Sequence, residues 1–301
     1  MSGKFNYSKA FQRNIGWVTS EEQQTLRKKR VAVGGLGGCG GGYVTTLARL
    51  GIGAFNLADF DAFELANFNR QAGARMSTVG EPKLDVVRAM ALDINPELDI
   101  KSFPTGVERD RIDQFLEGVD IYIDAIDAFS IDIRRNIYAR CRALGIPACF
   151  AVPLGMGAAF LIFMPEGMSL EEWFRFDEAD ASDWMVNFIA GVAPSALHRA
   201  YLADDSTIDL ETRDFPSTGL ACEICAGVVS AQALKILLGR GPIEAVPTYH
   251  QFDAYTCSYK KGVLPGGNAN PRQRKRLARL RKEFALLAAK RRSAVKLQAA
   301  P

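Results

Sequence analysis

Apolar positions along the chain fall into short blocks that alternate between two periods. Val31, Ala32 and Val33 form a continuous apolar run, as a strand buried on both faces requires. Tyr43, Val44, Leu47, Ala48 and Leu50 then recur at the three-and-four spacing of a helix. Residues 54–58 read as a second strand that ends at Asp59. The alternation continues downstream. Leu84, Val87, Ala91 and Ile94 form a helical stripe behind Gly80-Glu81-Pro82-Lys83, stopped by Asn95-Pro96. Residues 98–104 suggest a strand, 109–116 a helix, 119–123 a buried strand and 131–144 a helix. Strands follow over 147–152 and 158–163, with Gly155 and Gly157 at the turn between them. A late helix runs from Cys222 to a cap at Gly239, and residues 249–259 read as one terminal strand. Strands alternating with helices predict an α/β fold with a mainly parallel sheet.

Seven of the nine residues from Gly34 to Gly42 are glycine. A strand, a tight glycine turn and a helix start together form an anion site, because the first helical amides have no internal partner. Gly35, Gly37, Gly38 and Gly40 allow the backbone to approach a phosphate closely. Asp59 lies where an acidic side chain meets a ribose hydroxyl. To this point a mononucleotide and a dinucleotide are equally compatible. The following stretch, DFDAFELANFNRQ, adds Asp61, Asn67, Arg70 and Gln71, and Lys83 comes soon after. Clustered Arg and Lys suit a triphosphate, since Arg offers a planar fork of donors and Lys a mobile point charge. A Lys in the first turn of a helix is also electrostatically awkward unless an anion is near.

These motifs resemble the ThiF/MoeB/HesA family, bacterial relatives of ubiquitin-activating enzymes. The ordered pattern is GxGGxG, a strand ending in Asp, DxxxxxNxxRQ, a Lys, and a later Asp in YIDAIDAF, here Asp127. The resemblance implies a three-layer Rossmann-like adenylation domain with a helical excursion and antiparallel late strands. It implies ATP at Gly35, Gly37, Gly38, Gly40, Asp59, Asp61, Asn67 and Gln71. Arg70 and Lys83 would act on the phosphates, and Mg²⁺ would be held by Asp127. It also implies a homodimer in which Arg13 of one subunit reaches the phosphates of the other. One departure is Ala128, where the family often has Asn. Residues 150–221 contain no cysteine, so an acyl-adenylate with release of pyrophosphate is expected, without an enzyme thioester. The substrate reading is a peptide or small carrier-protein C-terminus. The alternatives are a modified tRNA base, or a non-catalytic ThiF-like scaffold.

Composition and charge refine this picture. Residues 270–301 hold 11 Lys or Arg and one Glu, leaving 26 basic and 33 acidic residues in an acidic body. The basic tail carries a stripe of Leu277, Leu280, Phe284 and Leu287. Docking on an acidic patch of the body or of a partner is its first reading. Nucleic acid stays open as a partner, although no aromatic platform accompanies the charge. No eighteen-residue apolar run or signal sequence is seen, so a cytoplasmic protein without membrane association is expected. Cys222-Glu-Ile-Cys225 has the spacing of half a zinc site, but a second pair is missing. Buried small cysteines are expected there rather than structural zinc. The domains read as a leader over 1–30, an ATP-binding domain over 31–260, and a linker with a basic helix over 261–301. The leader shows no obvious core. Residues 164–220 form a variable excursion whose aromatics, Trp173, Phe174, Phe176, Trp184 and Phe188, either pack on the body or line a lid or substrate groove.

Overall fold

The computed structural model describes residues 4–177, 179–208 and 215–298. One eight-stranded sheet has the order β3-β2-β1-β4-β5-β6-β7-β8. Its parallel part comprises β1 (Arg30–Gly34), β2 (Ala54–Ala58), β3 (Asp99–Phe103), β4 (Ile121–Asp124) and β5 (Ala148–Leu154). The strands β6 (Gly157–Phe163), β7 (Thr248–Asp253) and β8 (Ser258–Val263) then continue antiparallel. This is a Rossmann-like α/β fold with antiparallel late strands. Strand order reverses at β1, which lies between β2 and β4, and open α/β sheets bind ligands at such a switch point.

The continuous apolar runs of β1 and β2 have a physical cause, since both faces of the sheet are covered. Val31, Val33, Phe55 and Leu57 face one core, together with α3 (Gly40–Arg49), α4 (Lys83–Ile94) and α9 (Gly219–Leu237). Ala32 and Ala58 face the other core, covered by α5 (Ile112–Phe115), α6 (Ile131–Ala143), α7 (Leu170–Phe174) and α8 (Trp184–Val192). By length and apolarity α9 passes the test for a membrane span, but Ala221, Cys225, Ala226, Val229 and Ala233 are buried within the fold.

Several elements depart from the expected pattern. The leader, with α1 (Tyr7–Ala10) and α2 (Ser20–Leu26), does have a core, formed by buried Tyr7, Phe11 and Val18. Gln23 Nε2 donates to Tyr7 Oη and to Leu50 O, which fastens the leader to the end of α3. Thr19 is the cap of α2: its hydroxyl accepts from Glu22 N, and the Glu22 carboxylate accepts from Thr19 N. The expected single terminal strand is instead the β7–β8 hairpin, which turns through Cys257 at positive φ.

Of the two readings of the excursion aromatics, packing is the one realised. Trp173, Phe174, Phe176 and Phe188 are buried in the second core beside Phe150 and Phe163. Gly267 and Asn268 follow β8 and are also buried, with Asn268 Nδ2 donating to Phe174 O and Asn187 O. The helix α10 (Pro271–Gln298) docks on the body, with Leu277 and Leu280 against Val186 and Ala190. An Arg281–Asp183 ion pair of 2.9 Å adds to this contact.

Candidate active site

The glycine turn leaves β1 at the carboxyl edge of the sheet and enters α3. Gly35 has φ +83°, and a Cβ there would lie 2.3 Å from Ala125 O, just beyond β4. A Cβ on Gly40 would fall 1.9 Å from Gly35 O. The turn is therefore folded tightly against the β4 loop, with a backbone path that only glycine permits at these two positions.

Asp59 stands at the end of β2 and braces this turn. Its Oδ2 accepts from Leu36 N at 2.6 Å and its Oδ1 from Asp61 N at 2.8 Å. Burial raises its pKa despite these two hydrogen bonds. Lys83 begins α4 and is buried, with Nζ 2.9 Å from Asp61 Oδ2. Burial results because the chain folds back through the Ala62–Pro82 bridge and the Lys83 N to Asp61 O hydrogen bond.

Asn67 accepts from Glu64 N and so shapes the turn before Arg70. The guanidinium of Arg70 donates to Ala66 O and to Asn69 Oδ1, each at 2.9 Å. Gln71 is only 7% exposed, and among the described residues its Oε1 has no hydrogen-bond partner. Its Nε2 lies 3.6 Å from the position a Cβ on Gly37 would take. A buried acceptor without a partner, beside the glycine turn, fits a ligand that supplies a hydroxyl or N–H donor.

The loop after β4 separates its two carboxylates by role. Asp124 is buried and ion-paired to buried Arg134, with Nε to Oδ2 at 2.6 Å. Arg134 also donates to Ile126 O at 2.6 Å and to Asp127 O at 3.3 Å. Asp127 is exposed, with Oδ1 accepting from Phe129 N, and so remains open to a cation from solvent. Arg134 was not visible as a site residue in the sequence, because α6 carries Arg134 and Arg135 side by side and no pattern says which points inward. A further link ties the excursion to the site. Asn69 Nδ2 donates to Ser217 O at 2.8 Å, and Thr218 Oγ1 to Gly155 O at 3.0 Å.

The structure thus gathers the glycines, Asp59, Asp61, Asn67, Arg70, Gln71, Lys83 and Asp127 around one edge. Arg13 is not among them. It is exposed, and its neighbour Asn14 donates to Arg49 O, at the end of α3 remote from the glycine turn. An α-helix of this length separates the two by about 15 Å.

The cysteines lie apart from any open surface of the site. Cys222 Sγ is 3.4 Å from where a Cβ on Gly38 would be, and Cys222, Cys225 and Cys39 are all buried. A hydrogen bond to Cys39, together with burial, keeps the Cys222 thiol protonated, and burial pushes Cys149 up to about 12. Among the described residues no group of three or more His, Cys, Asp or Glu side chains is placed to hold a metal ion.

The sequence model described as the ThiF family matches residues 11–273. The chain is 34% identical over 190 residues to the tRNA threonylcarbamoyladenosine dehydratase of Bacillus subtilis (strain 168), a match covering 63% of this chain and 69% of that protein. It is 29% identical to the molybdopterin-synthase adenylyltransferase of Salmonella typhimurium, covering 48% of this chain and 57% of that one. Among solved structures, E. coli MccB with ATP gives a TM-score of 0.63 at 18% identity, over 89% of this chain and 74% of that chain. The same protein has been solved with MccA. E. coli TcdA, a tRNA N6-threonylcarbamoyladenosine dehydratase, gives a TM-score of 0.56 at 22% identity, over 77% of this chain and 95% of that one. At such identities the structural likeness speaks for the fold alone.

Proposed function

Because the chain belongs to the ThiF family, we propose that it is a cytoplasmic, ATP- and Mg²⁺-dependent adenylyltransferase that activates the C-terminal carboxylate of a peptide or small carrier protein. Family membership supports an adenylyltransferase activity of the ThiF/MoeB kind. The observation that carries the reading is buried Gln71 beside Gly37 of the glycine turn, its Oε1 without a partner among the described residues, with buried Lys83 held on Asp61 just past the end of β2. MccB, which shares the fold, has been solved with MccA, and the peptide reading is drawn by analogy with it.

Each residue has a task that its setting suits. The turn amides and the start of α3 hold phosphate oxygens. Each oxygen of Asp59 already accepts one backbone amide and keeps a lone pair for a ribose hydroxyl. Asp61, Asn67 and Gln71 shape the rim, while Arg70 and Lys83 offset charge where the carboxylate meets the α-phosphate. Asp127 would hold Mg²⁺, which would supply neutralisation of phosphate charge. The products are an acyl-adenylate and pyrophosphate. Arg13 serves only in trans, since it stands at the wrong end of α3 to reach its own site. Trp17, 86% exposed, and Ile15, 43% exposed, give the leader an apolar surface suited to a second copy.

Calorimetric titration is expected to show binding of ATP with Mg²⁺ and none of NAD, and pyrophosphate exchange is expected to depend on a carboxylate substrate. Tight NAD binding without ATP binding would sink this reading. A modified tRNA base is the second reading, favoured by the match to the B. subtilis dehydratase. Exchange stimulated by tRNA and not by peptides would select it.

A further inference from the structure

Arg199 stands on the short turn Leu197–Tyr201, and Arg276 and Arg279 stand on α10, beside Glu283. Arg199 Nη1 is 3.0 Å from Glu283 Oε2, and Arg279 Nε is 3.5 Å from Oε1. Arg276 Nη1 donates to Ala190 O at 2.9 Å. Among the described residues, Glu283 is the carboxylate that these arginines share. The crowding of positive charge is visible in the neighbours. Burial, then Arg279 and Arg199, pulls Arg276 down to about 10, and burial, then Arg276 and Arg199, holds His198 down at about 4. Exposed Arg272, Lys275 and Lys282 extend the positive strip on the side of α10 that carries Arg279, over about 15 Å of helix.

The location is as informative as the charge. Tyr201 Oη accepts from Met156 N and donates to Asp253, so the Arg199 turn is tied to the β5–β6 turn. Gly155 in that same turn bonds Thr218, which places the arginines on the edge of the sheet that carries the candidate site. Leu277 and Leu280 of α10 are covered by Val186 and Ala190, so these leucines are not free to insert into a bilayer. Its exposed stripe offers no aromatic platform on which bases could stack. Guanidinium forks pair well with carboxylates.

We propose that Arg199, Arg276 and Arg279 dock an acidic segment of the polypeptide whose C-terminal carboxylate is activated at the glycine turn. This inference rests on the peptide reading above, and its test is a binding measurement that requires no ATP. Fluorescence anisotropy with a labelled oligoglutamate peptide is expected to show saturable binding to the full chain that high salt abolishes. The R199A/R279A protein is expected to bind roughly tenfold more weakly, and R199K/R279K to recover much of the loss. Circular dichroism confirms that each variant is folded. Equal binding by R199A/R279A would overturn the proposal, as would tighter arginine-dependent binding of a single-stranded RNA of matched charge. Pyrophosphate exchange is measured separately: its absence with arginine-dependent peptide binding intact would remove the proposed reaction and leave the docking surface standing.

Discussion

Lys83 combines a buried ammonium with a half-exposed partner, Asp61, whose side chain is 52% accessible. Replacing it with Met keeps the aliphatic stem and returns Asp61 to water. Stability should change by about 1 kcal/mol or less, because the partner left behind is well solvated. Activity should fall on the order of a hundredfold or more, as when a charge-stabilising donor is removed from a reacting site. Exchange kinetics beside a thermal melt would check both. Arg134 should behave in the opposite way. Its partner Asp124 is buried, so Arg134→Ala strands a carboxylate in the core. A loss of about 3–5 kcal/mol in urea denaturation is expected. The difference in legibility has a cause. A lysine opening a helix conflicts with the helix dipole, and that conflict can be read from a sequence. An arginine beside another arginine raises no conflict until the fold decides which one is inside.

Elements were legible where a single period held. The runs of β1 and β2, the glycine turn and the stripe of α4 each follow one rule, and each lies where the pattern put it. The β7–β8 hairpin was hidden because Ala254, Tyr255 and Thr256 carry no Gly, Pro or Asn, and Tyr255 continues the strand-like composition through the turn. The core of the leader was hidden because Tyr7, Phe11 and Val18 share no period. The seam of α10 was legible, and its energetics can be tested. Leu277 and Leu280 are the buried part of that seam, so the double change to Ala removes its main apolar anchor. Docking should weaken by a few kcal/mol, about 2 or more per deeply buried leucine. Limited trypsin digestion should then cut the arginine-rich helix much faster than in the wild type. An unchanged cleavage rate would mean that the ion pairs, not the leucines, hold the helix.

At the scale of the whole molecule, Arg13 and the glycine turn lie at opposite ends of α3, so a role for Arg13 in the proposed chemistry requires a second chain. A mixture of R13A and K83M proteins should regain part of the activity lost by each, since one mixed site is intact. A monomer by sedimentation at assay concentration, with full activity, would count against the dimer. The thiols make a second statement at this scale. Cys39, Cys141, Cys149, Cys222 and Cys225 are buried, and the exposed Cys257 sits in the β7–β8 turn. Intact-mass measurement after incubation with ATP and substrate should show no thiol-labile adduct. An adduct lost in a C222S/C225S protein would overturn that expectation.

The ion pair between Lys83 and Asp61 also bears on how the proposed reaction ends. A cation that already has a tethered partner does not wait bare for phosphate; it changes partners. Asp61 is therefore a resident competitor for the lysine, weak because water reaches it, yet never able to diffuse away. When pyrophosphate must leave, that carboxylate is in place to reclaim the ammonium. In the proposed reaction the same contact would weaken capture of the nucleotide and speed the departure of pyrophosphate.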